Sequence, residues 1–323
     1  MSHQIIITGG SGFIGTNAVD AALSTGCSVM NIDIKPPNKK EHTLFWKQVD
    51  IRNREDFEKA ILSFAPTHIL HLAAKTGMDI KDLSELSANI EGVKSLVDIG
   101  RKTPSLKKIL FTSSLLVCRN GYIPTNDTDY CPPNLYGKSK MLGEKIVRES
   151  DRLPFAWSIV RPTSVWGPWV EHSNKVFFRM IDKGFYFHPG DENIVKPISY
   201  VENAVHMMFK ILFDESAKTN GATFYLVDYP ARSVRDWANA LQRELGKKGD
   251  IKTSPLLLLK IVASVGDILK KMGWSEPPLT SFRLKNMLTG GSYPIDNTKA
   301  VVGPLPYSME EGARRTVQWI RSQ

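Results

Sequence analysis

The first 160 residues alternate short, almost wholly apolar runs with stretches whose apolar residues recur at helical spacing. The runs predict strands over Gln4–Thr8, Ser28–Ile32, Phe45–Val49, His68–Leu72, Lys108–Thr112 and Ala156–Val160. The periodic stretches predict helices over Ile14–Ser24, Arg54–Phe64, Leu86–Arg101 and Tyr136–Glu149. Strands without a polar face must be covered on both sides. Strands alternating with helices at this spacing imply right-handed crossovers, hence an α/β fold with a doubly wound parallel sheet of the Rossmann type.

After Arg161 the rhythm changes. Pro162, Gly167, Pro168, Pro189 and Gly190 break the chain into loops and short elements. A helix over Val201–Phe213, a strand over Thr223–Val227 and a helix over Val234–Leu245 are expected, the last two returning to the sheet. The expected division is a dinucleotide-binding domain over residues 1–165, joined by a late strand and helices from 200–248. A smaller substrate-binding lobe is expected from 166–199 and 249–323. Such a lobe belongs over the carboxyl ends of the strands, where ligands sit in open α/β folds. Leu256 to Met272 is amphipathic at helical spacing. A lobe helix packed on its neighbours is one explanation; a helix lying on a membrane surface, helped by Lys260, Lys270 and Lys271, is the other.

Composition narrows the class. With 323 residues, 42% hydrophobic and 23% charged, the chain is long enough and apolar enough for a buried core. The formal charge of +9 comes from scattered pairs, not from runs. Solvated surface accounts for them; attraction of an anionic substrate such as a nucleotide diphosphate is the functional alternative. No nucleic-acid recognition module is visible. Cys27, Cys118 and Cys131 have no metal-like spacing, so a cytoplasmic protein without zinc is expected. Residue 1 leads almost directly into a strand, so no signal peptide is expected. The longest apolar stretch, Leu256 to Val265, contains Lys260 and is too short to span a bilayer.

Chemistry begins at TGGSGFIG, Thr8 to Gly15, between the first strand and the first helix. Gly9, Gly12 and Gly15 allow a sharp turn and let backbone approach a pyrophosphate. The helix start then offers free N–H groups and partial positive charge. The turn is one residue longer than the commoner dinucleotide fingerprint. Asp33 follows Gly15 by eighteen residues and ends the second strand. A carboxylate there accepts from both ribose hydroxyls and repels a 2′-phosphate, which favours NAD; nearby Lys35 leaves NADP open. Asp50 is a candidate for the adenine amino group or, equally, a strand-end cap.

Thr112, Ser113 and Ser114 end a strand, so their hydroxyls should reach the same edge of the sheet. Tyr136 begins a helix, and Lys140 follows one turn later on the same face. Hydride transfer from a carbinol carbon requires loss of the hydroxyl proton. A phenol of ordinary pKa near 10 is a poor base. A neighbouring ammonium and a cationic nicotinamide would favour the phenolate. Ser114 then completes the hydrogen bonding to the substrate oxygen.

These residues carry a resemblance. TGGSGFIG, Asp33, HLAA (His71 to Ala74), Asn89 to Gly92, FTSS, YGKSK, RPTSVWGP (Arg161 to Pro168), KPISYVENAV and SMEEGARRTVQWI resemble the extended short-chain dehydrogenase/reductase superfamily, in its NAD-dependent epimerase/dehydratase branch. The likeness covers essentially the whole chain. It implies cofactor contacts from Gly9, Gly12, Phe13, Ile14, Gly15, Asp33, Ile34, Asp50, Ile51, Leu72, Ala73, Ala74, Thr112, Tyr136, Lys140 and Pro162, with Asn89 supporting the loop beside them. It implies a catalytic Ser114, Tyr136 and Lys140. For substrate it implies Ser114, Thr163, Ser164, Trp166, Asn174, Lys175, Arg179 and Arg283, either arginine as a diphosphate clamp. His172 and His188 are left unassigned. It also implies a homodimer through a four-helix bundle made by Leu86–Arg101 and Tyr136–Glu149.

Two departures sharpen the expectation. Dehydratases of the family carry an Asp-Glu pair just after the catalytic hydroxyl; here those positions are Leu115 and Leu116, which have no proton to give. Leu116 also argues against a UDP-glucuronate decarboxylase. Cys118 stands where Tyr is usual and, lacking a basic partner, reads as packing. What remains is redox chemistry at one carbinol. The first expectation is a nucleotide-sugar epimerase, with a UDP-sugar foremost, serving surface-polysaccharide biosynthesis. The alternative is a dehydrogenase of a hydrophobic, 3β-hydroxysteroid-like alcohol, motivated by the apolar Leu256–Val265 segment and Trp274. A non-catalytic NAD-sensing protein is the remote third, since such a role usually lacks the tyrosine or lysine.

Overall fold

The computed structural model describes residues 3–77, 80–170, 172–190, 194–274, 277 and 279–323, with backbone alone for 172–176. Its strands are β1 (Gln4–Thr8), β2 (Ser28–Asp33), β3 (Trp46–Gln48), β4 (His68–His71), β5 (Lys108–Thr112), β6 (Ala156–Pro162), β7 (Ser164–Trp166), β8 (His188–Pro189), β9 (Ile198–Tyr200), β10 (Thr223–Leu226) and β11 (Thr253–Ser254). The α-helices are α1 (Phe13–Ser24), α2 (Arg54–Phe64), α3 (Ser87–Gly100), α4 (Leu135–Arg148), α5 (His172–Asp182), α6 (Val201–Phe213), α7 (Val234–Glu244), α8 (Leu256–Lys271), α9 (Ser281–Leu288), α10 (Asp296–Val302) and α11 (Met309–Arg321).

Seven parallel strands form the sheet, in the order β10-β6-β5-β4-β1-β2-β3. The strand pleat divides its side chains between two cores. Ile5 and Ile7 pack with Ala18 and Val19 of α1 and Met208 and Leu212 of α6 on one face. Ile6 packs with Phe57 and Ile61 of α2 and Leu96 of α3 on the other. The continuous apolar runs in the sequence are the consequence.

A third core holds the smaller lobe. Trp166, Tyr200, Phe178, Ile181 and Trp237 pack there with Val317 of α11. The expectation that Val234–Leu245 returns to the sheet is corrected here. β10 does join the sheet beside β6, but Trp237, Ala238 and Leu241 of α7 are buried in the lobe core. The apolar face of α7 fits that core, beside Trp166 and Val317, and not the sheet. β3 is also shorter than expected, because Lys40–Phe45 winds into a 3-10 helix before it.

One buried group makes the sheet acid-sensitive. His71, at the end of β4, lies within 2.8 Å of the Thr8 hydroxyl through Nδ1. Burial, aided by the charge of Lys140, pulls its pKa down to about 3. The unfolded chain therefore takes up a proton between about pH 6.5 and 3 that the folded chain refuses. Stability should fall across that window by on the order of 5 kcal/mol as pH drops. His68, lowered by burial to about 4, adds in the same direction. Urea midpoints measured from pH 7 to 4 check this; a flat profile would contradict it.

Candidate active site

The turn after β1 is built around contacts that only glycine permits. Gly9 has φ +74°, and a Cβ there would stand 2.7 Å from the Ala73 nitrogen. A Cβ on Gly15 would come within 2.1 Å of the Gly9 oxygen. Gly12 is different. It caps α1 without a side-chain bond, lines the cleft, and a Cβ on it would meet nothing closer than the Gly9 oxygen at 3.4 Å. The space in front of it opens to the cleft and has the room that a pyrophosphate cradle would need. Gly12→Ala should therefore fold normally and lose at least tenfold in NAD affinity, whereas Gly15→Ala should lose stability. Thermal melts and cofactor titration separate the two.

Asp33 shapes the same turn. Its carboxylate accepts from the Ser11 backbone at 3.0 Å and the Lys35 backbone at 2.9 Å. Asn38 donates to the Ser11 oxygen at 2.8 Å and to the Thr16 hydroxyl at 3.0 Å. Nothing in the sequence singled out Asn38, a polar residue in a polar loop. Asp50 lines the cleft, but Arg52 clamps its carboxylate at 2.6 to 3.0 Å and holds it below the usual carboxylate range. The Arg52 backbone also donates to it, at 2.9 Å. These bonds place Asp50 in the turn after β3, with its carboxylate at the cleft wall.

The reactive end grows from β5 and α4. Ser114 follows β5 and caps a short 3-10 helix, accepting from Leu116 N at 3.1 Å. Asn134 caps α4 by accepting from Gly137 N at 2.8 Å. A Cβ on Gly137 would stand 2.0 Å from the Leu116 oxygen. Glycine thus lets the start of α4 press against the 115–116 segment and brings Tyr136 to Ser114. Burial pushes the Tyr136 phenol up to about 12, against a hydrogen bond with Ser114 that favours ionisation. Lys140, one turn on, donates from Nζ to the Thr112 oxygen at 2.8 Å. Burial pulls it down to about 8, opposed by Glu144, so it is largely charged at neutral pH.

Behind this pair lies a network that the sequence did not disclose. The fully buried Arg161 donates to Glu144 at 2.9 and 2.7 Å. Ser113 and Tyr130 donate to the same carboxylate, and Arg161 also bonds the Tyr225 hydroxyl at 2.8 Å. Asn89 joins α3 to two neighbours. It accepts from the Lys75 backbone at 2.7 Å, and donates to the Lys75 oxygen at 3.0 Å and Ser139 at 2.9 Å. It stands behind the 72–77 loop as a support, not in the cleft wall.

One cleft of about 2270 Å³ collects most of the expected residues. Gly9, Phe13, Ile14, Ile34, Ile51, Leu72, Ala73, Ala74, Thr112, Ser114, Tyr136, Lys140, Pro162, Thr163 and Arg283 all line it. Thr163 donates to the Pro197 oxygen, and Arg283 donates to the Pro277 oxygen at 2.6 Å. Three expected substrate residues are placed elsewhere. Trp166 is 1% exposed and packs on Tyr200 and Trp237, because its strand faces the lobe core. Ser164 and Arg179 are exposed and lie outside the cleft wall. The side chains of Asn174, Lys175 and His172 lie outside the described residues. His188 is buried beside Tyr186. Basic Lys35, Lys75 and Lys196 and apolar Phe185, Leu258, Val262 and Phe282 also line the cleft. Leu115 is buried beside Tyr225. Cys118 donates to the Asp129 oxygen, and burial pushes its thiol up, consistent with packing.

The chain is 24% identical to N-acetyl-alpha-D-glucosaminyl-diphospho-ditrans,octacis-undecaprenol 4-epimerase of Escherichia coli O157:H7, covering 99% of this chain and 96% of that one. It is 25% identical to 3-beta-hydroxysteroid dehydrogenase of Mycolicibacterium neoaurum, covering 96% and 89%. In fold it is similar to UDP-glucose 4-epimerase of Thermotoga maritima, solved with UDP-glucose, at 20% identity, TM-score 0.75 and 99% of both chains. The model of the NAD dependent epimerase/dehydratase family matches residues 5–225. With that match over most of its length, the chain belongs to the NAD-dependent epimerase/dehydratase family, enzymes of the extended short-chain dehydrogenase/reductase type.

Proposed function

We propose that the protein epimerises one carbinol carbon of a diphosphate-linked sugar, a UDP-sugar foremost, by transient oxidation. The observation that carries this is the placement of Ser114, Tyr136 and Lys140 in the same cleft as the glycine turn, with Leu115 and Leu116 where eliminating acids would stand. Gly12 and the start of α1 would hold the pyrophosphate of NAD, and Asp33 its adenosine ribose; bound there, NAD would supply a reversible hydride acceptor for the sugar carbon. Tyr136 takes the proton from the sugar hydroxyl and later gives it back. Ser114 holds that oxygen, and Lys140, one helical turn from Tyr136, supplies positive charge to the cleft at neutral pH. Arg283 and the basic residues of the cleft wall meet the diphosphate. Most of the rate comes from positioning and fixed charge.

The same proposal extends to organisation. The lobe built on residues 166–199 and 249–323, joined by α7, is the substrate-binding part; residues 1–165, with α6 and β10 from 200–248, are the NAD-binding part. Helices α3 and α4 pack side by side, and a second copy meeting them would complete a four-helix homodimer. A cytoplasmic role in surface-polysaccharide biosynthesis fits a diphosphate-linked sugar. Incubation with UDP-, GDP- and dTDP-sugars, followed by NMR, tests the activity. Inversion without net NADH supports it; stoichiometric NADH with no inverted sugar would overturn it.

A second reading has its own observation. Phe185, Leu258, Val262 and Phe282 give part of the cleft an apolar wall, as a dehydrogenase of a hydrophobic alcohol would need. Oxidation of 3β-hydroxysteroids with released NADH would favour it. A sensing role without turnover is opposed by the presence of both Tyr136 and Lys140.

A further inference from the structure

Helix α8 turns its apolar face outward. Its inner side is narrow: Ala263 and Gly266 are buried, and a Cβ on Gly266 would stand 1.8 Å from the Leu279 oxygen. That side lies flat on the segment leading to α9. Leu257, Ile261, Val265, Ile268 and Met272 run along the opposite side, each 50% to 78% exposed. At about 100° per residue they fall, with Leu258, Leu269 and Val262, in an uninterrupted arc of about 140°. An isolated exposed leucine is ordinary; a continuous apolar face of this size marks an interaction surface.

The borders of the arc identify what it meets. On one border, Leu258 and Val262 also line the cleft, as does the exposed Phe282. On the other stand Lys260 and Lys271. These two and Lys270 form no ion pair among the described residues. The single acid of the helix, Asp267, is turned to the lobe and accepts from Ser281 N at 3.2 Å. Trp274, exposed just past the helix, is the residue type that favours the boundary between hydrocarbon and headgroups. An apolar arc edged by unpaired lysines and an aromatic residue complements an anionic lipid surface. Two copies meeting through this face would bring the like-charged lysines of both helices into one interface.

We infer that α8, with Trp274 and Phe282, seats the protein on an anionic lipid bilayer, lying in the interface without crossing it. No helix among the described residues is long and apolar enough to cross. Seated this way, the cleft opens at the lipid surface, within reach of a sugar diphosphate carried there. That consequence rests on the epimerase reading; the docking does not.

Co-sedimentation of the whole protein with vesicles tests the docking. Vesicles of phosphatidylcholine with one-third phosphatidylglycerol should retain it, and pure phosphatidylcholine should retain it at least tenfold less well. The Ile261→Glu, Val265→Glu double variant should lose at least tenfold in binding, and Lys260→Glu, Lys271→Glu should respond less steeply to salt. These residues lie outside the cleft wall, so cofactor binding and circular dichroism should be unchanged and report folding. No retention on anionic vesicles, or retention that the double variant leaves intact, would overturn the inference. So would a dimer by light scattering that the double variant dissociates without any vesicle binding. Sugar inversion in lipid-free solution is measured separately, so the two conclusions can fail independently.

Discussion

Tyr136→Phe is expected to bind NAD as wild type and to lose turnover by about 10²- to 10⁴-fold, the usual contribution of a positioned proton donor and acceptor. The ring stays, so the packing at the start of α4 stays with it. What disappears is the hydroxyl that meets Ser114 and, in the proposed reaction, exchanges the proton of the sugar hydroxyl. Burial holds this phenol up to about 12 in the cofactor-free protein, so its base form is scarce at neutral pH. The fraction of phenolate grows as pH rises, and wild-type turnover should climb with pH through neutrality. A bound cofactor with a cationic ring would lower the phenol pKa and shift that climb to lower pH. Pre-steady-state and steady-state assays of both proteins from pH 6 to 9 decide the matter. Equal rates, or a variant that retains the pH dependence, would remove Tyr136 from the reaction.

The second large effect is on stability. Glu144→Ala removes the carboxylate from a fully buried guanidinium, and the protein should lose about 3–5 kcal/mol, the cost of leaving such a charge without its partner. Arg161 has rings of Tyr130 and Tyr225 at 5.6 and 5.5 Å and no route to solvent. Glu144→Gln keeps part of the hydrogen bonding and should cost less. Glu144 also supports the charge of Lys140, so the variants should lower activity even where they remain folded. Urea unfolding at constant m-value measures the loss; a change under about 1 kcal/mol would show that the network is dispensable.

The sheet was legible because its information is local. Gln4–Thr8 and Lys108–Thr112 each carry an unbroken apolar triplet followed by turn residues, and both strands end where the sequence says. The glycine turn and the Tyr136–Lys140 pair were legible because fixed spacing along one chain segment creates the geometry. Other features depend on partners distant in sequence. Glu144 reads as a surface residue of an amphipathic helix until Arg161 arrives on the next strand. Trp166 sits in a motif beside the site, and only the course of β7 shows that its ring enters the lobe core. The helical period of α8 was plain in the sequence. Which side faces outward was not, because that is decided by the close fit of Ala263 and Gly266 against the segment before α9.

The position of β10 has a consequence for how the chain matures. Of the seven strands of the main sheet it is the last in sequence, and it forms one rim, pairing with β6. Until residues 223–226 emerge during synthesis, β6 presents a bare row of amide and carbonyl groups, and Arg161 lacks the phenol of Tyr225. A nascent or truncated polypeptide ending before Thr223 thus displays an adhesive border to its neighbours. Release from the ribosome with that rim complete separates a tractable protein from one prone to self-association.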